Sequence, residues 1–272
     1  MGSLEGQTVV ITGGGRGQGR SHAVALAREG ANIVVTDIGE AEVRNVSYGL
    51  ATEEDLAETV RQVEALDRRG VAVKADVRNT EDMQRVADTA MAEFGRIDIL
   101  LANAGIHGIF QNTYTIDDAS WQTMIDTNLT GVFKSIRAVV PHMIEGGRGG
   151  SIVITSSVDG LRATPSWGHY GAAKAGTVNL MKTLAVELAP HKIRVNTVHP
   201  TGVNTPMAEA LMDTVGPITD QWRYATDRAN LLDVPVIEPE DISNAIAWLV
   251  SDKARYVTGV SLPVDAGYTT KH

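Results

Sequence analysis

Cysteine is absent from the 272 residues, which excludes disulfides, thiolate metal sites and cysteine nucleophiles together. No apolar stretch approaches the ~20 residues of a membrane span, so no membrane partner is expected. Basic residues are outnumbered, 24 against 33 acidic, giving a formal net charge of -9. With neither a basic run nor a basic stripe, nucleic acid is not an expected partner, and the negative balance reads as colloidal solubility. Met1 to Gln7 lacks the basic and apolar regions of a signal peptide, and Gly6 stands where a myristoylation pattern needs Ser or Thr. The expected location is cytoplasmic. His107, His142, His169, His191 and His199 show no helical ligand spacing with a carboxylate partner, so no metal site is expected.

What the chain has is a rhythm. Short β-branched runs begin at Thr8, Asn32, Val71, Ile97, Ser151, Ile193 and Val260, and helical patterns lie between them. The helical stretches are read at Ala23 to Ala27, Glu53 to Arg69, Thr80 to Phe94, Trp121 to Ile144, Trp167 to Leu188 and Pro239 to Val250. Continuously apolar strands alternating with helices predict an α/β protein with a doubly wound, Rossmann-like parallel sheet of seven strands, helices on both faces. Residues 1–272 are read as one dinucleotide-binding and catalytic domain. Two segments interrupt the rhythm: an insertion at 38–52 and a long stretch at 205–236. The second carries Met207, Leu211, Met212, Val215, Trp222, Leu231 and Leu232 and is expected to form an apolar lid over a substrate. Trp121, Trp222 and Trp248 are expected to be core or interface anchors.

The first strand breaks into Thr12-Gly13-Gly14-Gly15-Arg16-Gly17-Gln18-Gly19. Glycine lets the backbone turn sharply and approach a pyrophosphate, and the following helix offers unpaired N–H donors. Asp37 ends the second strand, where its carboxylate can accept bonds from both ribose hydroxyls of an adenosine. A 2′-phosphate ~4 Å from that carboxylate would meet repulsion of roughly 4 kcal/mol, so NAD is expected over NADP. Arg16 could meet a pyrophosphate, a 2′-phosphate or solvent.

Tyr170 and Lys174 stand four residues apart in a helical pattern, which puts phenol and ammonium on one face. A nearby ammonium stabilises a phenolate, so Tyr170 is expected to have a lowered pKa and to exchange a proton with a substrate oxygen. Ser157 ends the fifth strand, where its hydroxyl can hold that oxygen. Asn128 lies inside a helical pattern it does not favour. Asn103-Ala104-Gly105 closes the fourth strand, at the edge where ligands bind in open α/β sheets.

These motifs, together with Asp76-Val77, resemble the short-chain dehydrogenase/reductase pattern in order and over nearly the whole chain. The resemblance implies Ser157, Tyr170, Lys174 and Asn128 as the catalytic set, with Tyr170 as acid/base, Ser157 polarising the carbonyl and Asn128 supporting a proton relay. It also implies that Gly13, Arg16, Gly17, Gln18, Gly19, Asp37, Asp76, Val77, Asn103, Ala104 and Gly105 hold NAD. Tyr170, Lys174, Pro200, Thr201, Gly202, Val203 and Thr205 complete the cofactor set. A homotetramer built on the Trp121–Ile144 and Trp167–Leu188 helices follows from the same resemblance. The insertion after Asp37, the run Tyr48 to Leu56 and the run His199 to Met207 resemble more narrowly the carveol-dehydrogenase-like, mycofactocin-coupled subgroup. That subgroup implies tightly held NAD, reoxidised by a second redox carrier, and a hydrophobic terpenoid-like or cyclic alcohol. Two other classes remain open: a dehydratase or epimerase on the same fold, and a nucleotide-binding regulator without catalysis.

Overall fold

The computed structural model describes residues 2–39, 43–44, 46, 48–108, 110–209 and 230–270. Each apolar run becomes a strand: β1 Thr8–Thr12, β2 Asn32–Asp37, β3 Gly70–Lys74, β4 Ile99–Ala102, β5 Gly150–Thr155, β6 Ile193–Pro200 and β7 Ser261–Val264. All neighbours pair in parallel, in the order β3-β2-β1-β4-β5-β6-β7. From β1 the chain winds outward to β2 and β3, then returns to place β4 on the other side. That reversal leaves a crevice beyond the carboxyl ends of β1 and β4, the ligand position in open parallel sheets.

Alternate side chains build the two faces. Val10, Val34, Leu100, Ile152 and Val195 enter one buried cluster, whereas Val9, Ile11, Ile33, Ile99, Leu101 and Val153 enter another. The inner strands are covered on both sides, which is why the runs at the centres of β1, β2, β4 and β5 are continuously apolar rather than alternating, whereas the edge strands β3 and β7 are partly exposed. Fully burying each such side chain contributes about 1.5–3 kcal/mol.

The first cluster is covered by α3 (Thr80–Phe94), α5 (Gly131–Gly146) and α6 (Gly168–Leu188). The second is covered by α1 (Gly17–Arg28), α2 (Glu53–Glu64) and α7 (Pro239–Val250). Helix α2 starts on a capping box between Thr52 and Asp55, a device worth about 1 kcal/mol. It stops at Glu64, short of the Arg69 read from the charge pattern, because the chain turns there and Asp67 takes a left-handed φ of 56°.

The long helix read at Trp121 to Ile144 is broken. Helix α4 (Asp118–Ile125) passes into a π turn, Asp126–Thr130, before α5 continues. Trp121 and Trp248 are 39% and 41% exposed, so neither anchors the core. Leu211, Met212, Val215 and Trp222, assigned to a lid, lie outside the described residues.

Candidate active site

The glycine-rich turn leaves β1 and enters α1 at the crevice. Gly13 and Gly17 adopt φ of 68° and 52°, left-handed values that side chains rarely take. A β-carbon on Gly19 would lie 1.9 Å from the Gly13 carbonyl oxygen, so only glycine lets the helix start against the turn. Helix α1 also differs from its neighbours in its unfinished end. Its N-cap, Arg16, makes no capping bond, and no acidic residue lies in its first turn. Helices α2, α3 and α7 each carry acidic residues there, α3 behind an Asn79 cap. The free N–H groups of α1 are therefore left for an anion.

This turn forms one wall of a cleft enclosing about 910 Å³, its solvent-open mouth included. Gly13, Arg16, Gly17, Gln18, Gly19, Asp37, Asp76, Val77, Asn103, Ala104, Gly105 and Thr205 all line it. Gln18 lines the cleft and holds a buried side-chain oxygen with no hydrogen-bond partner in the protein. Asp37 accepts the N–H of Gly15 at 3.0 Å and of Ile38 at 2.9 Å. Burial nevertheless pushes its carboxyl above the usual range. Cradle, uncapped helix and terminal carboxylate fit a dinucleotide.

Several expected contacts are already engaged within the protein. Arg16 donates to the Gly49 carbonyl of the insertion in an exposed hydrogen bond. Arg78 grips both oxygens of Asp76, at 3.0 and 2.6 Å. The Asn103 amide donates to Thr12 and Gly13 carbonyls and accepts from Thr155, bracing β1, β4 and β5 where they end. Pro200, Thr201, Gly202 and Val203 do not line the cleft; Val203 is 5% exposed and packs into the core, and Thr201 bonds to Asn230.

Behind the Gly105–Ile106 wall of the cleft, and not among its lining residues, stand the residues read as chemical: Asn128, Ser157, Tyr170 and Lys174. The Lys174 ammonium is 4% exposed and donates to the Thr155 carbonyl at 2.8 Å. It sits 5.6 Å from the centre of the Tyr170 ring. Burial lowers its pKa to about 8 against the pull of Asp159. A β-carbon on Gly105 would come within 3.4 Å of Lys174 Nζ and 3.2 Å of Asn128 Oδ1, so this glycine opens both residues toward the cleft. Asn128 accepts the Ile106 N–H at 2.8 Å and donates to the Ile106 carbonyl at 2.7 Å. Those two bonds hold the loop after β4, and the π turn around Asn128 lets its side chain reach it.

Tyr170 departs from expectation. Burial first, and then the charge of Asp159, push its phenol above the usual range; a hydrogen bond with Ser157 is the opposing influence. Desolvation of the phenolate outweighs the stabilisation that the neighbouring ammonium was expected to give. Ser157 itself donates to Asp159 Oδ2 at 3.3 Å, and its backbone carbonyl bonds to His199 Nδ1 at 2.7 Å.

The insertion also contributes residues that sequence patterns did not single out as site residues. Val43, Tyr48, Leu50 and Ala51 line the cleft, and Val43 packs with Ile106 and Met124 while Leu50 and Tyr170 border the same cluster. The Tyr48 hydroxyl accepts the His107 N–H at 3.2 Å, and the two rings stack at 4.7 Å. His107 Nε2 lies 3.1 Å from the Met207 carbonyl. One histidine thus joins the insertion, the β4 loop and the segment after β6. From it an aromatic series, Phe110, Trp167, Tyr170, leads to the phenol. The apolar and aromatic residues inside the insertion, Ile38, Val43, Val46, Tyr48 and Leu50, were the available signal.

Residues 13–269 match the family described as enoyl-(acyl carrier protein) reductase. The (-)-trans-carveol dehydrogenase of Rhodococcus erythropolis is 45% identical, with all of both chains covered. A crystal structure of carveol dehydrogenase from Mycobacterium avium in complex with NAD superposes with a TM-score of 0.95 at 47% identity, covering all of both chains. This chain belongs to the short-chain dehydrogenase/reductase family. Within that family it is also 39% identical to 3beta-hydroxysteroid dehydrogenase 1 of Eggerthella lenta, over 98% of this chain and 95% of the relative. The relatives act on different ring systems, so the fold alone does not name a substrate.

Proposed function

We propose that the protein is an NAD-dependent oxidoreductase that interconverts a secondary alcohol and a ketone, working as one dinucleotide-binding and catalytic domain. The observation that carries this reading is the adjacency of two groups of residues across Gly105. An uncapped helix and Asp37 line the cleft on one side, and half-buried Tyr170 with buried Lys174 and Ser157 stands behind its Gly105–Ile106 wall. When bound, NAD supplies the hydride acceptor and, oxidised, a positive charge. Tyr170 Oη takes the alcohol proton or returns it to the ketone. Ser157 Oγ holds the substrate oxygen, and Lys174 holds ribose hydroxyls and offsets charge on the phenolate. Asn128 fixes the Ile106 loop against which these groups are aligned.

A hydrophobic, cyclic or terpenoid-like alcohol suits the apolar and aromatic surroundings of Tyr170, and the similarity to enzymes named for carveol points the same way. The insertion supports a further step in the reading. With Arg16 tied to Gly49 and Tyr48 bonded to the His107 backbone, it closes over the cleft, holds NAD tightly and leaves it to be reoxidised in place by a second carrier. Slow dissociation is the usual route to such affinity. The assembly proposed is a homotetramer through α4–α5 and α6, which expose Trp121, Phe133 and Val186. The test is to heat-denature purified protein and assay the supernatant for nucleotide, then assay carveol oxidation with a dye acceptor. Released NAD and dye-dependent turnover are expected; empty protein that turns over briskly on free NAD alone would contradict tight retention.

A further inference from the structure

Asp159 lies two residues past Ser157, in the short 3-10 turn Val158–Gly160 that follows β5. It is 9% exposed, yet none of the ion pairs among the described residues includes it. Its partners are hydroxyls. Ser157 Oγ donates to Oδ2 at 3.3 Å, and Thr164 Oγ1 donates to Oδ1. The Asp159 N–H donates back to Ser157 Oγ at 3.1 Å. The turn is pressed onto α6: a β-carbon on Gly160 would meet Ser156 Oγ at 2.5 Å and the Lys174 carbonyl at 3.0 Å. A buried carboxylate is therefore fixed against the hydroxyl that bonds to Tyr170 and within electrostatic reach of Lys174.

We propose that Asp159 is a positioning residue: it orients the Ser157 hydroxyl and supplies the buried negative charge that sets where Tyr170 and Lys174 exchange protons. This rests on the catalytic reading of Tyr170 given above. The titratable groups around the turn are Lys174 and Tyr170 on α6, and His199 on β6, which itself feels Asp265. Tyr48 acts on Tyr170 from the insertion, and Arg162, just past the turn in the chain, donates to the Tyr268 carbonyl. A negative charge raises the pKa of every neighbour, so Asp159 keeps Lys174 charged while opposing ionisation of Tyr170. Asp159 itself is raised to about 6 by burial, against its bonds to Thr164 and Ser157. Below that pH the charge disappears and both neighbours shift downward; above it the charge is in force. Because the groups are coupled, the profile reports the set rather than one residue.

The experiment is the pH dependence of kcat/KM for carveol oxidation by the holoenzyme with a dye acceptor, for the unmodified protein, Asp159→Asn, Thr164→Val and Tyr170→Phe. Asp159→Asn should move both limbs of the profile to lower pH by about one unit. Thr164→Val removes a bond that favours the charged form, so it should move the limbs the same way by less, and it carries the test if Asp159→Asn fails to fold. A lowered profile with unmoved limbs would overturn the proposal and leave Asp159 a structural brace. Substantial turnover in Tyr170→Phe would instead overturn the catalytic reading, whatever Asp159→Asn does.

Discussion

At the amino edge of the sheet, Asp98 is 5% exposed and directly paired: Arg96 reaches both its oxygens at 2.7 Å, and the Thr8 N–H donates at 2.9 Å. At the carboxyl edge, Lys174 and Asp159 are buried to a similar depth, but their bonds go to a carbonyl and to hydroxyls. The first arrangement satisfies a charge by neutralising it on the spot. The second leaves charges near each other but unjoined, with proton affinities shifted toward the range in which chemistry runs. On the proposed function, the same α/β scaffold holds charge for stability at one end and for proton transfer at the other.

Breaking the carboxyl edge should have the largest effect, and on turnover alone. Tyr170→Phe deletes one oxygen and should reduce carveol oxidation by about 10³-fold or more, roughly 4 kcal/mol, while the released nucleotide content stays unchanged. Breaking the amino edge should do the reverse. Asp98→Asn takes charge-assisted bonds from the partly exposed Arg96 and Arg148 and should cost about 2 kcal/mol of unfolding free energy, read from denaturant melts, with turnover of the folded protein preserved.

A subtler effect is expected at Asp37. Replacing it with Ser removes ribose bonds and repulsion of a 2′-phosphate, which should narrow the preference for NAD over NADP by about 10–100-fold, roughly 1.4–2.8 kcal/mol. Competitive cofactor titration after removing bound nucleotide reads that ratio. Equal affinity of the unmodified protein for both would refute the role of Asp37.

A pH-dependent effect sharpens the contrast on another buried group. His22 on α1 is bonded to Ser243 Oγ on α7 at 2.8 Å, and burial lowers its pKa from 6.5 to about 3. The folded state holds it neutral where the unfolded state binds a proton. Its contribution is therefore fully present above pH 6.5 and lost as pH falls toward 3, at up to about 1.4 kcal/mol per pH unit. Chemical denaturation across that window should lose part of its slope in His22→Asn; an identical slope would remove His22 from the account.

Much of this contrast was legible in the sequence. The inner strands announced themselves because strands covered on both faces carry apolar runs, and Gly13, Gly17 and Gly19 because each turn needs a missing side chain. Tyr170, Lys174 and Ser157 were legible as a set through spacing. What spacing did not carry was environment. The raised pKa of Tyr170 depends on burial and on Asp159, which no periodicity connects to it. The π turn at Asn128 comes with bonds to Ile106, twenty-two residues away in the chain, which no local pattern reveals. The bond from Arg16 to Gly49 likewise follows from how the insertion folds back, and not from the charge of Arg16.

The central claim is that the carboxyl edge performs hydride transfer gated by Tyr170, and absorbance at 340 nm tests it most directly. Mixing the purified holoenzyme with excess carveol, with no dye acceptor present, should produce a reduced-nicotinamide band in the unmodified protein and none in Tyr170→Phe at equal nucleotide content. No band with carveol or any other cyclic or linear secondary alcohol, or an equal band in Tyr170→Phe, would contradict the account.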